Sequence, residues 1–420
     1  MVSTTYQSNI VKYQIYSAIS GFTVVGPLLN LFYLSADISY SQLSLIEIAS
    51  LIVLVVLEVP TGLISDLLGR KTSIFLGCIL MGAEFLLIAS GFTFSIFIIA
   101  ALLGGIGISL ESGADQSLLY DSLKKLKKEH EFKKYLGRSS AIFKISAAVA
   151  GILWGYIYQH EQVLVFYFSG GMFIILGFFS LTMKETVTRK DTKVGNQNIV
   201  AKVDYVKECK SICLRSFCTM KNNKHLLVML LFTGLVGTTI RAHTAIIRTP
   251  MLDDLLPSAE HLGFFLALGL GLSSLVNWYS YKLAKMFNER QVFFLIPLVM
   301  GCIYLLSGIF NHLSLIFLFF IIYLINAFQE VFISDYWHKH FSSRQRATLI
   351  SFTGASQSFI GVFTLFGTGY LTDLLGLNQS SIVMGGCMLS MGLIFVLIFI
   401  NTGAKKAKAL SLNFLSLKHS

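Results

Sequence analysis

The sequence predicts an all-α membrane protein, with twelve transmembrane helices in two six-helix halves and both chain ends in the cytoplasm. Three observations predict it. Of 420 residues, 54% are hydrophobic and 13% charged, where a soluble domain carries roughly a quarter charged residues. Apolar runs recur along the whole chain at the length of about 20 residues that a bilayer core requires of a helix. Lys and Arg concentrate in alternate loops, as they do when cationic loops stay in the cytoplasm. The short alternating strands of a membrane β-barrel are absent from the pattern.

The elements follow in order. Met1–Ile10 is polar and lacks the basic start and small-residue cleavage site of a secretory leader. The first apolar segment, 13–34, is therefore expected to stay as a helix. Segments 41–64, 73–91, 94–119, 137–158 and 163–183 complete a first half, residues 1–183. A polar linker, 184–224, carries ten Lys and Arg residues and is expected on the cytoplasmic side. Within it, Ile199, Val203, Val206 and Lys210 recur at helical spacing, as in an amphipathic helix lying on the inner leaflet. Segments 226–248, 260–281, 291–310, 313–336, 346–371 and 380–401 form a second half, 225–404, followed by a basic cytoplasmic tail, 405–420.

The sign of the loops sets the orientation. Arg70 and Lys71 follow segment 2, and seven Lys and Arg residues between Lys124 and Arg138 follow segment 4. Lys282, Lys285 and Arg290 follow segment 8, and Lys339, Arg344 and Arg346 follow segment 10. The opposite loops, "SADISY", "SGFTF", "YQHEQ", "NH" and "LNQS", contain no Lys or Arg. The net charge of +11 thus belongs to membrane topology, and nucleic acid is not an expected partner. Cys209, Cys213 and Cys218 match no zinc spacing, and no metal or cofactor is expected. No Gly-x-x-x-x-Gly-Lys-Ser/Thr loop is present to bind nucleotide phosphates.

One short pattern occurs twice. "GLISDLLGRK" spans Gly62–Lys71 and "GYLTDLLGLN" spans Gly369–Asn378. The first lies at the basic end of segment 2, the second at the bare end of segment 11. Inverted three-helix repeats within each half would produce that placement. A Gly-x-x-x-Asp-x-x-Gly run is also a good helix-ending turn on its own. A parallel repeat appears in "LLYDSLKK" and "FISDYWHK", which align Asp121 with Asp335.

Twelve segments in two halves, a long basic central loop and Gly62, Asp66, Gly69, Arg70 and Lys71 between segments 2 and 3 resemble the major facilitator superfamily over the whole chain. "EVPTGLISDLLGRK" and "SGADQSLLYDSL" resemble its bacterial drug-export branch. The resemblance implies a central cavity lined by segments 1, 4, 7 and 10. It implies a cytoplasmic gate in which Asp66 faces the start of segment 11 near Arg346. Arg70 then meets Asp121, and Asp335 belongs to the counterpart in the second half. Two marks of drug–proton antiporters are missing. Ala101 stands where an Arg is usual in segment 4, and segment 5 has Gly151 and Gly155 but no Gly-Pro pair.

Ionisable groups at membrane depth are costly and are functional candidates by default. Glu111 and Asp115 are four residues apart, which on a continuous helix puts them on one face. Two close carboxylates resist double ionisation, so one of them can carry a proton. Asp115 paired with Arg138 or Lys144 is the plainer alternative. Aligning the halves sets Asp115 and Gln116 against Gln329 and Glu330, an acid–amide pair from each side. Glu330 is a third proton or cation candidate, or a local strut. Tyr16, Asn30, Arg241, His243, Asn326 and Gln329 are expected to line the substrate cavity; Arg248 is expected to snorkel towards the headgroups. Glu84 falls in the middle of peripheral segment 3, with no role evident in the sequence.

The expectation is a monomeric secondary transporter in the plasma membrane of a bacterium, not an enzyme. It would export small organic or drug-like compounds as an antiporter in exchange for protons. Proton-coupled uptake of a nutrient and a non-transporting membrane sensor are the rival expectations.

Overall fold

A computed structural model describes residues 2–186, 223–256, 258–310, 312–340 and 346–416. Side chains within 2–5, 58–67, 277–290, 331–351 and 399–416 are described only in part, those of Asp66, Asp335 and Arg346 not at all. The central linker, with its amphipathic stretch, lies outside the described residues.

Every regular element among the described residues is helical. The first bundle contains α1 (Val2–Phe22), α2 (Pro27–Ser35), α3 (Tyr40–Leu68), α4 (Arg70–Ser90), α5 (Phe94–Glu111), α6 (Ala114–Lys125), α7 (Phe132–His160) and α8 (Gln162–Ser180). The second contains α9 (Lys224–Ala242), a π-helical stretch (His243–Arg248), α10 (Thr249–Leu255), α11 (Ala259–Met286), α12 (Glu289–Ile309), α13 (Leu315–His340), α14 (Arg346–Leu375) and α15 (Leu377–Ser416). Eleven stretches of described residues are long and apolar enough to cross a membrane. In α13 the apolar part is shorter, Leu315–Glu330.

Local chemistry fixes the ends. Ser39 and Gln42 form a capping box at the start of α3, and Asn288 and Gln291 do so for α12, each satisfying two backbone donors of a first turn. Aromatic side chains fill the bundle interiors: Phe32 meets Phe97 and Phe166 in the first, and Phe232 meets Phe293 and Phe395 in the second. Phe317, Phe359 and Phe363 lie exposed on the outside, where lipid tails replace water.

Three of the segments expected as single helices are irregular. Segment 1 starts at Val2 and breaks at 23–26, where Gly26 has φ +44°. Pro27 restarts the chain as α2, its missing N–H costing nothing at a first turn. Segment 4 breaks at Ser112–Gly113, with Gly113 at φ +78°. Segment 7 passes through the π-helical stretch. These are three of the four segments for which the family resemblance implies a cavity wall, and irregular backbone at membrane depth is tolerated where it is buried in protein or lines a cavity.

The two copies of the repeated motif have one backbone design. The helix runs through Asp66 to Leu68, and through Asp373 to Leu375, so the motif is helical and not a turn over its length. The second glycine of each copy then takes a positive φ, +97° at Gly69 and +80° at Gly376. Gly69 N–H donates to Ser65 O at 3.1 Å, and Gly376 N–H donates to Thr372 O at 2.9 Å. A new helix begins at the next residue in both. Only glycine takes such φ values without strain.

The bundles meet along α3 and α14 and along α7 and α11. At the second contact backbone nearly touches backbone. A Cβ at Gly155 would stand 2.8 Å from Ala259 O, and one at Gly263 would collide with Gly151 O. Gly151-x-x-x-Gly155 on α7 thus faces Ala259-x-x-x-Gly263 on α11, the small-residue spacing that lets membrane helices approach closely.

Candidate functional site: two charged cavities and the contacts that close one end

The larger cavity has a volume of about 600 Å³. Arg241 comes from α9, Asn326, Gln329 and Glu330 from α13, and Gln357 from α14; among the described residues, Leu51 of α3 is the one wall residue from the first bundle. Gln357 Nε2 donates to Thr233 Oγ1 at 2.9 Å. Gln329 is 6% exposed and its Oε1 has no hydrogen-bond partner among the described residues.

The smaller cavity, about 330 Å³, lies within the first bundle between α1, the α5–α6 break and α7. Glu111, Asp115, Gln116, Tyr13, Tyr16 and Lys144 line it. Tyr16 Oη donates to Glu111 Oε1 at 2.5 Å, and Tyr13 Oη donates to Asp115 Oδ2 at 3.1 Å. The two rings stack with centroids 6.5 Å apart. Glu111 and Asp115 do not share a helical face, because the chain breaks between them. They share a cavity, and two tyrosines one turn apart on α1 receive them in order. Asp115 takes its hydrogen bond from a tyrosine, while Arg138 stands over the ring of Tyr135.

The expected meeting of both acid–amide pairs at one level does not occur. Asp115 and Gln116 face the smaller cavity, Gln329 and Glu330 the larger. Three further expectations for the substrate cavity are corrected. Tyr16 faces the smaller cavity. Asn30 is buried at the bundle interface, where its Nδ2 donates to Ala245 O at 2.8 Å. His243 is fully buried, stacked on Tyr304 at 3.6 Å, with Nε2 3.1 Å from Ser381 Oγ. The π-helical stretch begins at His243, and the ring packs against α12 and α15 instead of the cavity. Arg248 is also buried and stands 4.8 Å from the ring centroid of Tyr323, so it does not reach for the headgroups. Glu84 lies on α4 with its carboxylate against Gly104 of α5, where a Cβ would overlap it. The missing side chain at Gly104 makes the notch that holds it.

At the end bearing the basic loops, Arg70 Nε donates to Asp121 Oδ2 at 2.9 Å. The sequence did not suggest Glu185, whose carboxylate accepts from Arg70 N–H and Lys71 N–H at 3.2 Å each. It caps α4 from beyond α8, a contact set by folding and invisible in any local pattern. Among the gate residues, the side chains of Asp66, Asp335 and Arg346 lie outside the described residues, and so does any contact across Gly62.

At the bare end the bundles are joined by hydrogen bonds. Asp373, in the second motif copy, accepts from Tyr40 N–H and Ser41 N–H at 2.8 Å each. Gly369 brings α14 against Ser44 and the Tyr40 carbonyl, leaving no room for a Cβ. Gln159 Oε1 accepts from Ala259 N–H at 2.9 Å. Asp373 thus supplies a charged acceptor to the free backbone donors at the start of α3. Replacing Asp373 with Ala removes both bonds and should cost about 1–2 kcal/mol of bare-end closure. The expected result is a longer, broader distance distribution between spin labels at Phe92 and His312. An unchanged distribution would remove Asp373 from the closure.

The sequence profile of the Major Facilitator Superfamily matches residues 16–332. The chain belongs to the Major Facilitator Superfamily. Among its relatives, the MFS-type transporter YxaM of Bacillus subtilis (strain 168) is 23% identical over 379 residues, covering 88% of this chain and 90% of that protein. The quinolone resistance protein NorA of Staphylococcus aureus is 23% identical over 190 residues, 45% of this chain and about half of NorA, 48%. The fold is that of the nucleoside transporter NupG, with a TM-score of 0.78 at 13% identity over 93% of this chain and all of the NupG chain. A bacterial homologue of the lysosomal transporter Spinster gives a TM-score of 0.69 at 13% identity over 94% and 96% of the two chains. Membership of the Major Facilitator Superfamily, with eleven stretches of described residues long and apolar enough to cross a membrane, makes this a multi-pass cell-membrane transporter and not an enzyme.

Proposed function

We propose that this Major Facilitator Superfamily member is a secondary transporter that exports small organic compounds in exchange for protons by alternating access. The observation that carries the reading is the pairing of closure at the bare end with charged cavities between and within the bundles. Alternating access requires one closed end and a site beyond it. The reading takes twelve spans, with residues 1–183 and 225–404 as the rocking halves and the linker, 184–224, and tail, 405–420, in the cytoplasm. The chain acts as a monomer. Closure at the bare end then makes this the inward-facing arrangement.

Glu111 and Asp115 are the proton carriers in this reading, supported by their tyrosine partners and by their place in a cavity of their own. Glu330 is the corresponding group in the second half. Arg241, Asn326 and Gln329 contact the substrate. Gly62, Asp66, Gly69, Arg70, Lys71 and Asp121, with Asp335 and Arg346, form the cytoplasmic gate. The likeness to NorA, a quinolone resistance protein, favours export. Ala101 and the absent Gly-Pro pair favour uptake, which is the second reading.

Movement of a panel of cationic dyes and small organic compounds in vesicles under an imposed pH gradient tests it. Export coupled to inward proton flow is the expected result. Uptake in the direction of proton flow would replace export by symport. A gradient that moves no compound, while one still binds, would overturn the transport reading.

A further inference from the structure

The larger cavity holds two opposite charges that are not spent on each other. Among the described residues, neither Arg241 nor Glu330 has a hydrogen bond or an ion pair, although both line the same wall. Had they been a strut they would be joined. Gln329 lines the same cavity, and its buried Oε1 is an acceptor with no donor among the described residues. Burying an amide oxygen unsatisfied is unfavourable unless something else supplies the donor.

Their order along the cavity follows from the helices. The amide of Gln329 stands 3.4 Å from the Cβ position of Gly237 on α9. Arg241 is four residues further along α9, towards the bare end, so about 6 Å separates the levels at roughly 1.5 Å per residue. Glu330 adjoins Gln329. The cavity is therefore polarised along its length, with a cation near the closed end and a carboxylate plus a vacant acceptor below it. Glu47 of α3 lies within electrostatic reach of Arg241, one turn beyond the wall residue Leu51.

We infer that this cavity takes a small amphoteric molecule, with an anionic group on Arg241 and a cationic N–H group on Glu330 and Gln329. The inference rests on the transport reading above and names the substrate class of that site. A planar carboxylate suits the guanidinium fork. A protonated amine supplies the donors that Glu330 and the Gln329 amide oxygen lack. A compound with one charge leaves the opposite group of the cavity desolvated and unpaired, which is the stronger discrimination.

Four matched probes test it: 4-(aminomethyl)benzoate, benzoate, benzylamine and benzyl alcohol, titrated calorimetrically into the purified full-length protein near neutral pH. The amphoteric probe is expected to bind about tenfold or more tightly than either singly charged one, the worth of one charge-assisted hydrogen bond. Arg241→Gln should reduce it to the affinity of benzylamine, and Glu330→Gln to that of benzoate. Arg241→Lys should keep most of the preference, which separates loss of charge from loss of fold. Equal binding of the amphoteric probe and benzylamine, no binding of the amphoteric probe, or a preference that survives Arg241→Gln would overturn the inference. If a pH gradient moves singly charged compounds that bind as tightly as the amphoteric one, the inference fails and the transport reading stands. If the charge-matched preference holds and no gradient moves any compound, the inference stands and the transport reading fails.

Discussion

Glu111→Gln is expected to abolish movement driven by a pH gradient while sparing exchange of labelled for unlabelled compound across the membrane. The amide keeps the shape of the carboxyl and can still accept from Tyr16, whose hydroxyl donates to Glu111 at 2.5 Å. It cannot gain or lose a proton, so it cannot report the gradient to the protein. A fall of about 100-fold or more in gradient-driven rate is expected, the scale of losing a positioned proton-transfer group. Exchange does not require net proton movement and should fall by much less. Equal loss of both would mean that Glu111 holds the cavity in shape and does not carry the proton. Rates for the two modes, measured in the same vesicles, decide between these outcomes.

The second large effect is expected at Gly263. Even a Cβ there would collide with the Gly151 carbonyl, and the Cα of Gly155 lies 3.1 Å from the same point. Both obstacles include backbone, which cannot rotate aside. Gly263→Leu must therefore separate α7 from α11. Overpacking of this kind costs about 1–3 kcal/mol, enough to lower the population of the bare-end-closed state by roughly 5- to 150-fold. Turnover should fall with it, and spin labels at Phe92 and His312 should move apart. Gly263→Ala should give the same changes in smaller measure. Full activity with an unshifted label distance in Gly263→Leu would show that this contact loosens without cost.

Much of this was legible in the sequence, and particular residues show why. Alternation of apolar runs with basic and bare loops depends only on composition, so the all-helical membrane class was legible, and eleven stretches of described residues are long and apolar enough to cross a membrane. The repeated Gly-x-x-x-Asp-x-x-Gly pattern was legible as a helix end, and Gly69 and Gly376 both take positive φ there. Asp373 nevertheless passed unnoticed as a contact residue, because its partners are backbone amides 332 and 333 residues away. Arg241, Asn326, Gln329 and Glu330 were singled out by their depth on segments 7 and 10, which the family resemblance implies as cavity walls, and they do line one cavity. His243 and Asn30 met the same criterion of depth and failed, since depth does not fix the face of a helix once a π-helical stretch or a break resets its phase. Gly113 was visible, but one glycine among 34 carries no local sign that it will interrupt a helix. Gly26 followed by Pro27 did carry such a sign, and the break of segment 1 could have been read from it. Glu47 was overlooked because nothing in its neighbourhood marks which face of α3 it occupies.

Trp154 stands where several of these features converge. It precedes Gly155 at the close approach of α7 and α11. Its indole N–H donates to the Phe22 carbonyl at 2.7 Å, where α1 ends before the break, and its ring stacks near Phe168. One of only three tryptophans in the chain, it is 3% exposed. An indole excited state is sensitive to the loss of a hydrogen bond and to the arrival of water. Separation of α7 from α11 would admit water to the ring, while the bond to Phe22 lies within the first bundle. The protein consequently contains its own optical sensor beside the contact between the bundles, and with Trp278 and Trp337 replaced by Phe, emission from this ring can follow opening and closing in real time without an added label.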